Sequence, residues 1–491
     1  MLKETKSHSK DFHSLSEWLC YLETIHSFEI DLGLSRISQV AQRLAIDLSF
    51  AQVITVAGTN GKGTTCAFLE HALLAETIKD HDNANTLQQV AVYSSPHIEH
   101  FNERLRINKC DVDDEAFIAA FEQIEQARAE ISLSYYEYTT LAAFLVMMAV
   151  KPDVIILEVG LGGRLDATNI IDADVAIITS IDLDHQAFLG DDRESIGFEK
   201  AGIMRADQHI IIGDLAPPQS MLSHAQQINE AICNDSSSTY TDKNRHANSD
   251  KQSRAQTNRD NHSAINKIKV RNKDFYLSSK NTSEQQLWQW HCVDNAAGAT
   301  EFQLTDLVPT HIPQDNVATA LMALKQLGVK LTTDKVNALI EKTKVAGRTE
   351  LFSRETLHAR NISCPCDVML DVAHNPHAGR YLAKKITQCC QQKTYTRIIA
   401  VVAMLADKDI ANTLLPLTDI IDQWYIASLD VPRAANIEQM TSNLAPFAQS
   451  INCFDNISQA FKMASNQAQS TDLILVFGSF FTVAEIRKLL I

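Results

Sequence analysis

Val53-Ile-Thr-Val-Ala57 runs directly into Gly58-Thr-Asn-Gly-Lys-Gly-Thr-Thr65, and an apolar helical pattern follows from Cys66 to Ala75. The order is strand, glycine-rich turn, lysine, hydroxyl residue, helix. Glycines let backbone N–H groups come close to phosphate oxygens, and a helix N-terminus favours the anion. Within this loop Gly58, Asn60, Gly61, Lys62, Gly63 and Thr64 are the candidate nucleotide-binding residues. Lys62 would neutralise β- and γ-phosphate charge, and Thr64 would reach a magnesium ion. The spacing departs from the general phosphate-loop pattern. Two residues separate Gly58 from Gly61, and Gly63 stands between Lys62 and Thr64.

Outward from this loop the chain keeps alternating strand-like and helix-like segments. Strands are expected at Val53–Ala57, Val90–Ser94, Val154–Val159, Val175–Ser180, His209–Gly213, Val368–Ala373, Ile398–Ala403 and Leu473–Phe477. Several are continuous apolar runs, as in strands covered on both faces, so the class is α/β with mostly parallel sheets. The apolar stretch Leu141–Val150 reads as a buried helix, too short for the ~20 residues that span a bilayer. Ile78–Gln89 reads as a polar loop. Asn234–Asn266 is poor in apolar residues and reads as a mobile insertion. A boundary near Gly347–Ser353 divides the chain into residues 1–348, a nucleotide-binding domain, and residues 349–491, about 140 residues and a normal domain size.

Bulk composition narrows the function. The 491 residues carry 45% hydrophobic and 21% charged residues, ordinary globular values. The formal charge of -16 opposes phosphate backbones and anionic lipid, so neither nucleic acid nor membrane is an expected partner. The 10 cysteines form no CxxC pair, which suits reduced thiols in a cytoplasmic protein. Met1–Ser14 has no apolar signal segment.

Longer blocks carry a resemblance. Thr55–Thr64 resembles the phosphate loop of the Mur ligase superfamily. Tyr93-Ser-Ser-Pro-His97, Glu158–Asn169, Asp184-His185, Glu199-Lys-Ala-Gly202, Gly347-Arg348, Asp371–His377 and Gly478-Ser-Phe480 resemble its folylpolyglutamate synthase branch. Ser134-Tyr-Tyr-Glu137 looks like the segment of bacterial members that also make dihydrofolate. The blocks run from about residue 17 to the C-terminus, omitting the two polar stretches. The resemblance implies a phosphate-loop ATPase domain followed by a smaller Rossmann-like domain, with the reaction in the cleft between them. It implies ATP-dependent ligation of L-glutamate to dihydropteroate and to tetrahydrofolate through an acyl phosphate, by a monomer.

Such chemistry rests on positioning and charge stabilisation, so magnesium and cations should dominate the site. Ser95, Glu158 and His185 each fall at or after a strand end, where open α/β sheets place ligands. Their oxygens and imidazole, with Thr64, are the candidate magnesium ligands; the resemblance carries His185, since imidazole is unusual for this ion. The resemblance also implies a carbamylated Lys200 and leaves K+ as a candidate ion. Arg348, Asp371 and Asn316 match positions that hold ATP, with Asp371 a candidate acceptor for ribose hydroxyls. His374 is placed near the leaving phosphate or the incoming glutamate. Lys62, Lys200, His185, Arg348 and His374 form the candidate catalytic set. Ser134, Tyr135, Tyr136 and Glu137, with Leu165, Asp166 and Ala167, form the candidate pterin-binding set, the tyrosines offering flat amphipathic faces.

One departure is Phe481, where family members often carry histidine after Gly-Ser-Phe. The alternatives are a folylpolyglutamate synthase alone, another Mur-type amide ligase, a nucleotide switch without ligase chemistry, and a kinase. The short segment before Val53 argues against a peptidoglycan ligase with its N-terminal substrate domain. The second-domain motifs argue against a bare switch, and no alcohol-activating base marks a kinase.

Overall fold

The computed structural model of the chain describes residues 12–27, 30–79, 85–235, 267–281, 286–294, 300–393, 395–448 and 450–491. Gln52–Ala57 lies in the middle of an eight-stranded sheet. It pairs in parallel with Val154–Glu158 on one side and Val175–Ile178 on the other. Val90–Tyr93 lies beyond the first, followed by the antiparallel edge strands Leu105–Ile107 and Cys110–Asp111. His209–Ile212 and Ile268–Val270 continue in parallel beyond the second. Connections from Gln52–Ala57 and Val154–Glu158 therefore leave in opposite directions, and a crevice opens at the carboxyl ends of these strands.

The central strands are buried along nearly their whole length, the signature of a sheet covered on both faces. Period-two alternation sends Ile54, Val56 and Ile156 to one core with Phe68, Leu69 and Leu321. Val53, Ile155 and Leu157 go to the other, with Leu141 and Phe144. Helices Lys62–Leu73 and Gln314–Gln326 cover the first face, and Asp114–Arg128 and Tyr135–Val150 the second.

A second sheet begins just after Arg348. Glu350–Phe352 pairs antiparallel with Asp367–Asp371. Leu473–Phe477, Ile398–Val402, Gln423–Ala427 and Ile451–Phe454 then follow in parallel order. Its faces feed two further cores, one with Ile474 and Val476 and one with Leu473, Leu475 and Phe477.

The expected strands are all present, but most stop one or two residues sooner. Ser94, Val159, Thr179, Ser180, Gly213 and Ala373 have left the ladder, and the site is built from just such residues. A three-stranded antiparallel sheet, Phe275–Asn281, Gln286–Asp294 and Thr300–Leu307, has no counterpart among the sequence expectations. Its Trp288, Trp290 and Cys292 alternate with Gln289 and His291 and press on the Gln314–Gln326 side of the large sheet. Within the expected polar loop at 78–89, Thr77–Lys79 and Asn85–Leu87 pair antiparallel. Asn234 and Asp235 end the helix Gln219–Asp235, and the rest of the expected insertion lies outside the described residues. Among the described residues no helix is long and apolar enough to cross a membrane.

Candidate active site

The phosphate loop is held by tight packing at Gly58 and Gly61 and by hydrogen bonds at Asn60, Lys62 and Thr64. Gly58 (φ +149°) and Gly61 (φ +90°) lie where side chains are disfavoured. A Cβ on Gly61 would stand 2.5 Å from Asn316 Oδ1, and one on Gly58 1.9 Å from Thr179 Oγ1. The Lys62 ammonium arches back over the loop, donating to the Gly58 and Thr59 carbonyls at 3.0 and 3.4 Å. Burial lowers its proton affinity, while Glu158 and Asp184 restore part of it. Thr64 donates to Gly61 O at 3.0 Å and accepts from Asn316 Nδ2 at 2.7 Å. The Thr64 hydroxyl is thus engaged inside the loop, and Asn316 props the turn. Thr179 and Ser180 donate to Asn60 O at 2.7 and 3.0 Å. The Asn60 side chain crosses to the second sheet, donating to Asn375 Oδ1 at 3.1 Å and lying 3.0 Å from His377 Nδ1.

Two cavities meet at Asn60–Gly61. The larger, about 1350 Å³, lies beside Asn316, Asp182 and Arg380. The smaller, about 840 Å³, is lined by Lys62, Ser95, Glu158, His185, Lys200 and Arg348, among others. His374 lines it too, and so does the ring of Phe481, 47% exposed. Each volume accommodates a nucleotide-sized or drug-sized molecule.

Glu158 ends its strand 6% exposed. Burial pushes its carboxyl up, while Lys62, Arg348 and the Ser95 amide pull it down. His185 caps the short helix Gln186–Leu189 in the left-handed region (φ +51°), an uncommon conformation for a residue with a side chain. Burial lowers its imidazole to about 4 against the pull of Asp184, so the ring is neutral at physiological pH. Among the described residues no group of three or more His, Cys, Asp or Glu side chains is arranged to hold a metal ion by itself. A cation at this place would therefore have one carboxylate, one imidazole and the Ser95 hydroxyl, leaving positions for phosphate oxygens and water. That donor set fits a hard divalent ion bound together with a polyphosphate.

Lys200 lies near the end of helix Arg193–Ala201 and is 4% exposed. Burial, then the nearby Lys62, lowers its amine to about 7. Arg348 follows the left-handed Gly347 and stacks over Phe480, its guanidinium carbon 5.1 Å from the ring centre. Asp371 accepts from the amides of Thr349 and Ala373, both at 2.8 Å, so its carboxylate ties the strand end to the Arg348 turn. Burial raises its carboxyl and Arg348 opposes the rise. His374 Nδ1 donates to Val372 O at 2.8 Å, turning Nε2 toward Asp184 Oδ2 at 3.5 Å.

The candidate pterin set is placed differently. Ser134 and Glu137 form a capping box: Ser134 Oγ accepts from Glu137 N at 3.3 Å, and Glu137 Oε2 accepts from Ser134 N at 2.8 Å. Arg36 adds an ion pair to Glu137 at 3.3 Å. Asp166 accepts from the amides of Gly160, Leu161 and Thr168 and from the Thr168 hydroxyl. It thereby braces the glycine loop. The Tyr136 ring fills the space a side chain on Gly160 would need, a Cβ there lying 2.7 Å from its Cζ. Tyr135 carries the Arg104 guanidinium over its ring at 5.4 Å. Leu165 is half-buried, and Ala167 opens the turn Ala167–Ile170. None of these seven side chains lines either cavity; they frame the loops that do.

Sequence reasoning missed Lys408. Its ammonium lies 2.6 Å from Asp184 Oδ1 and 3.5 Å from His185 Nε2. It follows the strand Ile398–Val402 and lines the smaller cavity, so the strand-end rule that found Ser95 and Glu158 could have found it.

Comparison with known proteins agrees with this architecture. The family model of the Mur ligase middle domain matches residues 56–263, and that of the Mur ligase glutamate ligase domain matches residues 347–480. Dihydrofolate synthase/folylpolyglutamate synthase of Escherichia coli (strain K12) is 38% identical over 97% of this chain and 95% of its own length. The Haemophilus influenzae protein of the same name is 37% identical over 96% of each. E. coli FolC, solved in complex with DHPP and ADP, is similar with a TM-score of 0.77 at 38% identity, covering 97% of each chain. A bifunctional folylpolyglutamate synthase/dihydrofolate synthase with Mn, AMPPNP and L-glutamate bound gives 0.76 at 37% identity, covering 97% of this chain and 98% of that one. Fold, phosphate loop and full-length similarity agree, and the chain belongs to the dihydrofolate synthase/folylpolyglutamate synthase family of Mur ligases.

Proposed function

We propose that this protein is an ATP-dependent ligase that joins L-glutamate to dihydropteroate and to tetrahydrofolate. The observation that carries the reading is the phosphate loop at the junction of two cavities, with half-buried Lys62 and Arg348 and buried Glu158 and Lys200 gathered on one side of it. ATP occupies the larger cavity with its triphosphate along Asn60–Thr64. The substrate carboxylate enters the smaller cavity and its oxygen attacks the γ-phosphorus; ADP leaves, and an acyl phosphate remains. The glutamate amine then attacks the acyl carbon, the amide forms and inorganic phosphate departs with the transferred oxygen. Lys62 and Arg348 stabilise the charge spread over the moving phosphoryl group. A divalent cation held by Ser95, Glu158 and His185 supplies further neutralisation when bound. His374 faces the departing phosphate or the incoming amine.

Lys200 has the chemistry for carbamylation. With its amine lowered to about 7, a neutral fraction exists at physiological pH. A neutral amine adds CO₂, releases a proton and becomes an anionic carbamate, changing a buried cation into a candidate cation ligand. Residues 1–348 and 349–491 act as the two functional halves within one chain, so a monomer suffices.

ADP release tests the reading when ATP, a divalent cation, pterin substrate and glutamate are supplied and each is omitted in turn. Full release requires all four. Release with tetrahydrofolate but not with dihydropteroate would reduce the protein to a folylpolyglutamate synthase. Release indifferent to pterin and glutamate would remove the ligase reading.

A further inference from the structure

Asp184 is a junction between the two sheets. Its Oδ1 accepts from Lys408 Nζ at 2.6 Å and from the His185 amide at 2.9 Å. Its Oδ2 accepts from Asn375 Nδ2 at 3.0 Å and faces His374 Nε2 at 3.5 Å. Lys408, Asn375 and His374 all come from loops at the carboxyl ends of Asp367–Asp371 and Ile398–Val402 in the second sheet. Asn375 also donates to Asn60 Oδ1 at 3.1 Å, so one side chain bridges Asp184 and the phosphate loop. The Asp184 and Lys408 side chains are 8% and 7% exposed, which makes theirs a desolvated ion pair. Removing one partner of such a pair strands a buried charge. The next residue is His185, held in the left-handed region.

We infer that Asp184 is a positioning residue: through Lys408 and Asn375 it couples the seating of the second sheet against the phosphate loop to the orientation of His185. The inference rests on the ligase reading above for its catalytic consequence but not for its geometry. With the Asp184 carboxylate satisfied by the second sheet, the 182–185 loop presents His185 to the smaller cavity. Without those contacts the loop loses its tether, and Asp184 Oδ1 is no longer held in place to accept from the His185 amide.

The test uses the full chain with Asp184→Asn, Lys408→Met and the double variant. Three quantities are read: kcat of ligation, Mn²⁺ affinity by electron paramagnetic resonance in the presence of ADP, and radius of gyration by small-angle scattering. Each single variant is expected to lower kcat at least thirtyfold. Mn²⁺ affinity should weaken fivefold or more, and the ADP-bound radius of gyration should exceed that of the wild type. The double variant should be no worse than the poorer single, because Lys408 acts on the loop through Asp184. Metal-free ADP affinity within threefold of wild type would show that the phosphate loop stays folded. Additive losses, or Mn²⁺ affinity and radius unchanged in both singles, would overturn the inference. So would a Lys408→Met effect confined to the KM for glutamate, which would place that ammonium on substrate instead. If the wild-type protein shows no ligase turnover, the functional reading fails, while Mn²⁺ binding and scattering still decide the coupling.

Discussion

Glu137 and Glu158 are both buried carboxylates, 3% and 6% exposed, at the ends of adjoining elements. Glu137 is consumed by architecture: it caps its helix through the Ser134 amide and pairs with Arg36. Glu158 forms no ion pair within contact distance among the described residues, although Lys62 and Arg348 both act on it. Similar burial with unequal ion pairing separates frame from site. A buried carboxylate with a backbone hydrogen bond but no ion pair in contact keeps capacity for a further cation, and a bound ion or ligand is what can use it.

Three substitutions test the contrast, the largest effect first. Lys62→Ala should lower kcat about 10³-fold or more, since phosphoryl transfer depends on charge placed at the phosphates. Its circular dichroism spectrum should match wild type, and wild-type activity would remove the phosphate loop from the mechanism. Glu158→Gln should lower kcat about 10²-fold or more with no loss of melting temperature, because it removes a buried charge that no ion pair in contact satisfies. Glu137→Gln should do the reverse. It should cost about 1–3 kcal/mol of stability in urea unfolding, with kcat per folded molecule within about twofold of wild type. If both glutamates behaved alike, the distinction would fail.

Lys200 sharpens the comparison through pH. In the fold its amine is lowered to about 7, whereas in the unfolded chain it titrates near ~10.4. Between these values the unfolded chain holds a proton that the folded chain lacks. The contribution of this group to stability therefore rises with pH across that window, by at most about 1.4 kcal/mol per unit. In CO₂-depleted buffer Lys200→Met should flatten the slope of unfolding free energy against pH between 7 and 10. An unchanged slope would mean that Lys200 is not buried as an amine. The smallest effect belongs to Ser134→Ala, expected to cost about 1 kcal/mol through the lost cap while leaving the KM for dihydropteroate within about twofold.

Much of this architecture is legible in the sequence alone. The apolar runs that became central strands are readable because burial on both faces leaves no polar alternation to confuse them. The phosphate loop is readable because its glycines serve close approach. Less legible was the antiparallel sheet at 275–307, although Trp288, Trp290 and Cys292 already alternate with Gln289 and His291 in a half-buried strand pattern. Ser134-Tyr-Tyr-Glu137 illustrates one motif with two meanings. The Ser-x-x-Glu spacing is that of a capping box, and the structure spends both polar side chains on the cap. The contacts of Asp184 with Asn375 and Lys408 span 191 and 224 residues of chain, so no local periodicity could announce them.

The central claim is that the pterin carboxylate is activated by direct phosphorylation beside Gly61–Thr64. Isotope transfer tests it most directly. With the substrate carboxylate labelled with ¹⁸O, the account predicts one labelled oxygen in the inorganic phosphate for each amide bond formed. Unlabelled phosphate, with the departing labelled oxygen found in water or in the nucleotide instead, would contradict it.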